Sequence, residues 1–167
     1  MRALVSRALC EWDDLQVEDI APPVLTAGGV RIAVACSAVS FAMSLQVAGK
    51  YQRTYPRPYT PGSEVAGTVQ EVASGVTQVK PGDRVLAVAD WGALAEQVVI
   101  PAATVYPLPA ALAFDPSIHL TNAYSTAYGS LFWRSGLRAA DWRVSKSFTA
   151  CANFAACAFV MRYCLAL

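Results

Sequence analysis

The residues best suited to chemistry are few and scattered. The only histidine is His119. The five cysteines, Cys10, Cys36, Cys151, Cys157 and Cys164, include no C-x-x-C pair. A catalytic zinc needs three His, Cys or carboxylate ligands and an open fourth position, and a structural zinc needs four closely spaced ligands. Neither pattern is present, so His119 is expected at the surface or as a cap rather than on a metal. An odd number of cysteines without a regular framework points to reduced thiols and a cytoplasmic chain. The densest polar stretch is residues 50–61, with three tyrosines, three prolines and three cations. It reads either as an exposed loop or as a loop lining a site, since binding residues concentrate on loops held by a rigid scaffold. Tyr124, Tyr128 and Leu131 recur at helical spacing, which favours a core face over a cofactor face.

The elements that must position these residues are mostly strands. A first strand is expected at residues 2–8, turns at Asp13-Asp14 and Gly28-Gly29, and a loop at Pro22-Pro23. From Arg31 the chain alternates, with Ile32, Val34, Cys36 and Ala38 on one face, the period-two signature of a half-buried strand. A second such run covers residues 64–72. Its Gly67 is tolerable only where a neighbouring backbone approaches closely or a bulge is needed. Lys80-Pro81-Gly82-Asp83 suits a type II turn. Strands are expected at 84–89 and 95–100, and a short helix at 41–49 ended by Gly49. Helices are expected after Pro116, at 117–120 and 121–135, the second stopped by Gly136.

Composition limits the function classes. The chain has 167 residues, is 55% hydrophobic and 15% charged. That excludes a disordered polar segment and a coiled coil. A net charge of +1 argues against a nucleic-acid binder. No apolar leader is visible at the N-terminus. Residues 1–115 carry eight Lys/Arg and eleven Asp/Glu, and residues 116–167 carry five Lys/Arg and one Asp. The body is turn-rich and slightly acidic, and the end is basic and apolar.

Five short stretches then fall into a familiar order: Gly49-Lys50-Tyr51-Gln52, Pro61-Gly62-Ser63-Glu64-Val65-Ala66-Gly67, Lys80-Pro81-Gly82-Asp83-Arg84-Val85, Gly92-Ala93-Leu94-Ala95-Glu96, and Ser125-Thr126-Ala127-Tyr128. On these, residues 1–142 resemble the N-terminal half of medium-chain dehydrogenase/reductases, in the zinc-free, quinone oxidoreductase (zeta-crystallin-like) branch. The resemblance implies a mainly β fold with C-terminal helices: a GroES-like, partly open β barrel over residues 1–116. It makes 117–142 the helices that lead into a Rossmann domain. It also implies NADPH as cofactor, hydride transfer to a quinone or another activated carbonyl or alkene, and no metal, because zinc-dependent relatives have a histidine in place of Ser63 and a cysteine near Ala38. Tyr51 matches a pocket tyrosine that hydrogen-bonds the substrate carbonyl, or it serves only as a ring packed under the Pro-rich loop. Thr126 matches a threonine beside the nicotinamide, or serves only as a helix hydroxyl bonding back one turn. Ser40 replaces the usual cofactor-touching asparagine and Met43 the usual aspartate, which weakens the polar part of the site.

The resemblance stops at Trp142. A dinucleotide fold would open there with a strand and a glycine-rich turn, yet no glycine follows Gly136. Of residues 148–167, all but Thr149, Asn153 and Arg162 are apolar. The charge-free run of residues 147–161 is shorter than the roughly 18–20 residues that cross a bilayer. Residues 143–167 are therefore expected to be foreign to the family, as a shifted reading frame or shortened gene model would make them. Two readings stay open: a reductase fragment with little activity of its own, or a non-enzymatic GroES-like module. Either would present apolar surface that favours self-association.

Overall fold

The computed structural model describes residues 1–134. Expectations for 135–167, including the apolar tail and its cysteines, lie outside the described residues.

Seven strands build the body. Strands β1 (Arg2–Val5) and β2 (Gln16–Asp19) form an antiparallel hairpin, with Arg2 opposite Asp19. Strands β3 (Gly29–Ser37), β4 (Glu64–Val72), β5 (Arg84–Val88), β6 (Gln97–Pro101) and β7 (Val105–Pro107) form one antiparallel sheet in the order β6-β3-β4-β5-β7. The sheet curls without closing, since β6 and β7 are its unpaired edges. The hairpin joins it through the bridges Ala3 to Ala95 and Ser6 to Tyr59. The Leu4 amide donates to the Leu94 carbonyl at 2.9 Å. This is the partly open barrel that the sequence led us to expect.

Alternation decides which faces are buried. Ile32, Cys36 and Ala38 turn inward from β3 and just beyond it, whereas Ala35 is exposed. Ile32 meets Val65 and Val69 of β4, Val85 of β5, and Val98 and Ile100 of β6, while Cys36 and Ala38 pack in a second cluster with Ala66, Leu86, Leu108 and Ile118. Ile32, Val65, Val85 and Ile100 are wholly shielded from solvent. Gly67 sits in the middle of β4 for both of the reasons available to it. A Cβ there would collide with the Ala33 carbonyl oxygen, and the β3–β4 register slips beside it, between Val34 and Cys36. Gly82 takes φ +92°, and the Asp83 amide closes the turn onto the Lys80 carbonyl at 3.1 Å, the expected type II geometry.

Helix α1 (Phe41–Val47) follows β3. The Gly49 amide bonds the Gln46 carbonyl and the Lys50 amide the Leu45 carbonyl, with Gly49 at φ +71°. That pair of bonds is a Schellman stop. Helix α2 (Phe114–Ser117) begins before Pro116 rather than after it. Proline is harmless in a first helical turn because its missing N–H would be unpaired there anyway. A 3-10 turn (Ile118–Leu120), helix α3 (Ala123–Tyr128) and a wider turn (Gly129–Arg134) complete the described chain.

Candidate functional site

The site is best described from the end of the barrel where β3 runs into α1 and β4 begins. Ser40 caps α1 with extended backbone (φ −123°, ψ 158°), and its side chain makes no capping bond to the helix. Tyr51 lies two residues beyond Gly49, half-buried. A single seven-residue helix thus separates these two residues. Met43 is 1% exposed. The position that resemblance gives to an aspartate is a packing position here, which is why an apolar side chain is tolerated.

Thr126 lies on α3, exposed. Its hydroxyl donates to Asn122 Oδ1 at 3.3 Å, so it does bond back one turn, though to a side chain rather than a carbonyl. It lines an open groove of about 540 Å³ with Tyr124, Ser125, Tyr128 and Trp133. That groove overturns the expectation that Tyr124 and Tyr128 face a core. Helix α3 buries no residue, and Tyr128 is 49% exposed. Among the described residues, no hydrogen bond joins Ser40, Tyr51 and Thr126 to one another.

The 50–61 loop combines the two expectations: Gln52, Arg53, Thr54 and Pro56 are exposed, while Pro58, Tyr59 and Thr60 line a cavity. Tyr55, Tyr59, Thr60 and Pro61 are buried. Tyr55 packs on Tyr59 and on Trp91, with ring centroids 5.4 and 5.3 Å apart. Arg57 Nη2 donates to the Gln46 and Val47 carbonyls at the end of α1, where the helix dipole favours a cation. The loop is therefore a wedge that fixes α1 and, with it, Tyr51. A cavity of about 420 Å³ lies on its other side, against Val5, Ile20 and Val98. It is lined by none of the three candidate residues.

One residue that the sequence reading passed over is prominent. Glu64, at the start of β4, is 5% exposed. The Thr121 hydroxyl lies 2.9 Å from its Oε2, and the Asn122 side chain is close enough to the carboxyl to favour its charged form. Burial pushes its pKa above the usual carboxylate value of 4.5, while Thr121, Asn122 and the charge of His119 pull it down. His119 is thus half-buried beside a carboxyl rather than simply at the surface. Glu64 stood inside a quoted motif, but nothing nearby in sequence announced the partners 57 residues on.

No group of three His, Cys, Asp or Glu side chains among the described residues could hold a metal ion. The fit to a dinucleotide is divided. Ser40 and Thr126 offer hydroxyls suited to a carboxamide. The pyrophosphate end has no counterpart among the described residues. Gly28-Gly29 opens a strand, and the residues before α1, α2 and α3 include no glycine. A phosphate cradle needs a glycine-rich turn opening a helix.

A family model for the alcohol dehydrogenase GroES-like domain matches residues 26–110. The chain belongs to that family. It is 39% identical over 110 residues to a quinone oxidoreductase-like protein 2 homolog of Nematostella vectensis, a match covering 65% of this chain and 30% of that protein. It is 36% identical over 140 residues to the synaptic vesicle membrane protein VAT-1 homolog of Rattus norvegicus, covering 83% and 35%. The quinone oxidoreductase of Thermus thermophilus, whose crystal structures include an NADPH complex, superposes with a TM-score of 0.70 at 29% identity, over 83% of this chain and 42% of that one. The GroES-like chain thus has its relatives among the medium-chain dehydrogenase/reductases. It spans about a third of the length of these curated relatives. Among its described residues, no helix is long and apolar enough to cross a membrane.

Proposed function

We propose that this GroES-like chain is the substrate-side half of a zinc-independent, NADPH-dependent reductase of quinones or other activated carbonyls and alkenes. The observation that carries the reading is the family match over the barrel, together with relatives named as quinone oxidoreductase-like. NADPH, when bound, supplies the hydride. Tyr51 would then donate a hydrogen bond to the carbonyl oxygen of the substrate from the end of α1. Ser40 and Thr126 would flank the nicotinamide carboxamide. Residues 1–116 would form the catalytic domain, and 117–142 would lead to the partner domain that holds the pyrophosphate. The location we assign is cytoplasmic, in keeping with Cys10, a free thiol.

The 167 residues as they stand are proposed to turn over little or nothing. The missing glycine-rich turn supports this, and it equally favours the second reading, a non-enzymatic GroES-like module. A calorimetric titration of the full chain with NADPH is expected to show no micromolar binding. Micromolar binding would refute the claim that these residues lack a pyrophosphate cradle. Fusion of residues 1–134 to the cofactor domain of the Thermus thermophilus enzyme separates the two readings. The reductase reading expects NADPH-dependent quinone reduction, with Tyr51→Phe lowering kcat/KM on the order of tenfold, the effect of one lost hydrogen bond. A fusion that binds NADPH yet reduces no quinone or enone would establish the module reading instead.

A further inference from the structure

Thr121 has one hydroxyl proton and two acceptors competing for it. Its Oγ1 lies 2.9 Å from Glu64 Oε2 and 2.7 Å from the Ile118 carbonyl oxygen. A threonine hydroxyl donates one hydrogen bond and accepts others. With Glu64 ionised, the one proton must be shared between the two short contacts, which weakens both. With Glu64 protonated, both are satisfied. The acid O–H donates to Thr121 Oγ1, and the Thr121 hydroxyl donates to the Ile118 carbonyl. The remaining carboxyl oxygen is left to accept from the Asn122 amide. Asn122 Oδ1 in turn accepts from Thr126. Every bond in the chain Thr126, Asn122, Glu64, Thr121, Ile118 then runs in one direction with no conflict.

We infer that Glu64 is a positioning residue: held as the neutral acid, it ties residues 118–126 to the start of β4 and thereby fixes Thr126 in its groove. The inference rests on the proposed reading only for the importance given to Thr126.

The groups around the carboxyl bear this out. Thr121, Asn122 and His119 face it from the segment after α2. Ser37 of β3 spends its hydroxyl on the Glu64 backbone carbonyl at 2.8 Å. Val88 is the residue opposite on β5. Among the described residues, none of these groups is an arginine or lysine, and His119 is the only charge that favours ionisation. A carboxylate in such surroundings has lost water without gaining a strong cation, which favours the uncharged form. Among the described residues, the segment it holds has little else to hold it. Ile118 and Phe114 pack into a small cluster with Cys36, Ala66 and Leu86, but α3 buries nothing.

The test uses the full 167-residue chain without NADPH, so its outcome is independent of whether the dinucleotide binds. The carbon-13 carboxyl resonance of Glu64, assigned by its absence in Glu64→Gln, is followed against pH. The expected midpoint lies above 4.5. A midpoint at or below that value overturns the inference. Amide-exchange protection factors for residues 121–126 are read in parallel. Glutamine can donate to Thr121 and accept from Asn122 as the neutral acid does. Glu64→Gln is therefore expected to keep protection that is flat with pH, while wild-type protection falls as Glu64 ionises. Thr121→Ser should retain protection and Thr121→Val should lose it. The inference fails if wild type and Glu64→Gln share one pH profile, or if Thr121→Val leaves protection unchanged.

Discussion

The barrel and the segment that follows it are built on opposite principles. In the sheet, Ile32, Val30, Val65, Val85 and Ile100 are fully buried, and each strand but the edges is covered on both sides by neighbours. From Asn122 to Arg134 nothing is buried, and Trp133 is 81% exposed. The barrel completes its own core. The helical segment holds to it by Ile118, Phe114 and the polar tie through Glu64, and presents aromatic rings outward. Exposed rings at this density mark a surface made to meet something else. The contrast separates a barrel that covers its own core from a segment whose aromatic rings face outward.

Substitutions can break that contrast. Ile32→Ala should have the largest effect, a loss of about 2–5 kcal/mol in denaturant unfolding, because the cavity opens where no surface can relax into it. A loss well under ~1 kcal/mol would mean that the barrel core is looser than its burial implies. Glu64→Gln should have an intermediate effect whose size depends on pH. A carboxyl whose pKa is raised in the folded state adds stability below the unfolded value of 4.5 and loses it as pH climbs through the folded value. The glutamine variant should therefore match wild type at acid pH and exceed it at neutral pH. If wild type is the more stable at pH 7, the direction of the Glu64 shift is wrong. Trp133→Ser should have the smallest effect on stability, within about 0.5 kcal/mol, while reducing self-association in sedimentation velocity. Equal association by both proteins would argue that the exposed rings are not what brings copies together.

The barrel was legible because its signals are local. The apolar alternation after Arg31 and the Pro-Gly turn at Lys80 each lie within a few residues. Gly67 announced a close approach that the Ala33 carbonyl supplies. Strand β2 was missed because Gln16, Val17 and Asp19 are exposed and carry no apolar period. Strand β7 was missed because three residues are too few to show one. The site was less legible. Tyr51, Ser40 and Thr126 came from resemblance, not from any pattern of their own. The 50–61 loop looked polar, yet its fate was decided by Trp91 and by the carbonyls at the end of α1. Burial of Glu64 was decided by Thr121, whose approach only the finished fold creates.

The strand order also governs how the chain must fold. Strand β3 pairs on one side with β4, and on the other with β6, where Gly29 faces Pro101. The N-terminal hairpin reaches as far, with Arg2 and Glu96 hydrogen-bonded. Such distant pairings slow folding, because a long loop must close before any contact rewards it. On the ribosome, one edge of β3 therefore stays bare until residue 101 has emerged from the exit tunnel. Until then the nascent barrel offers an open strand edge of the kind that chaperones shield.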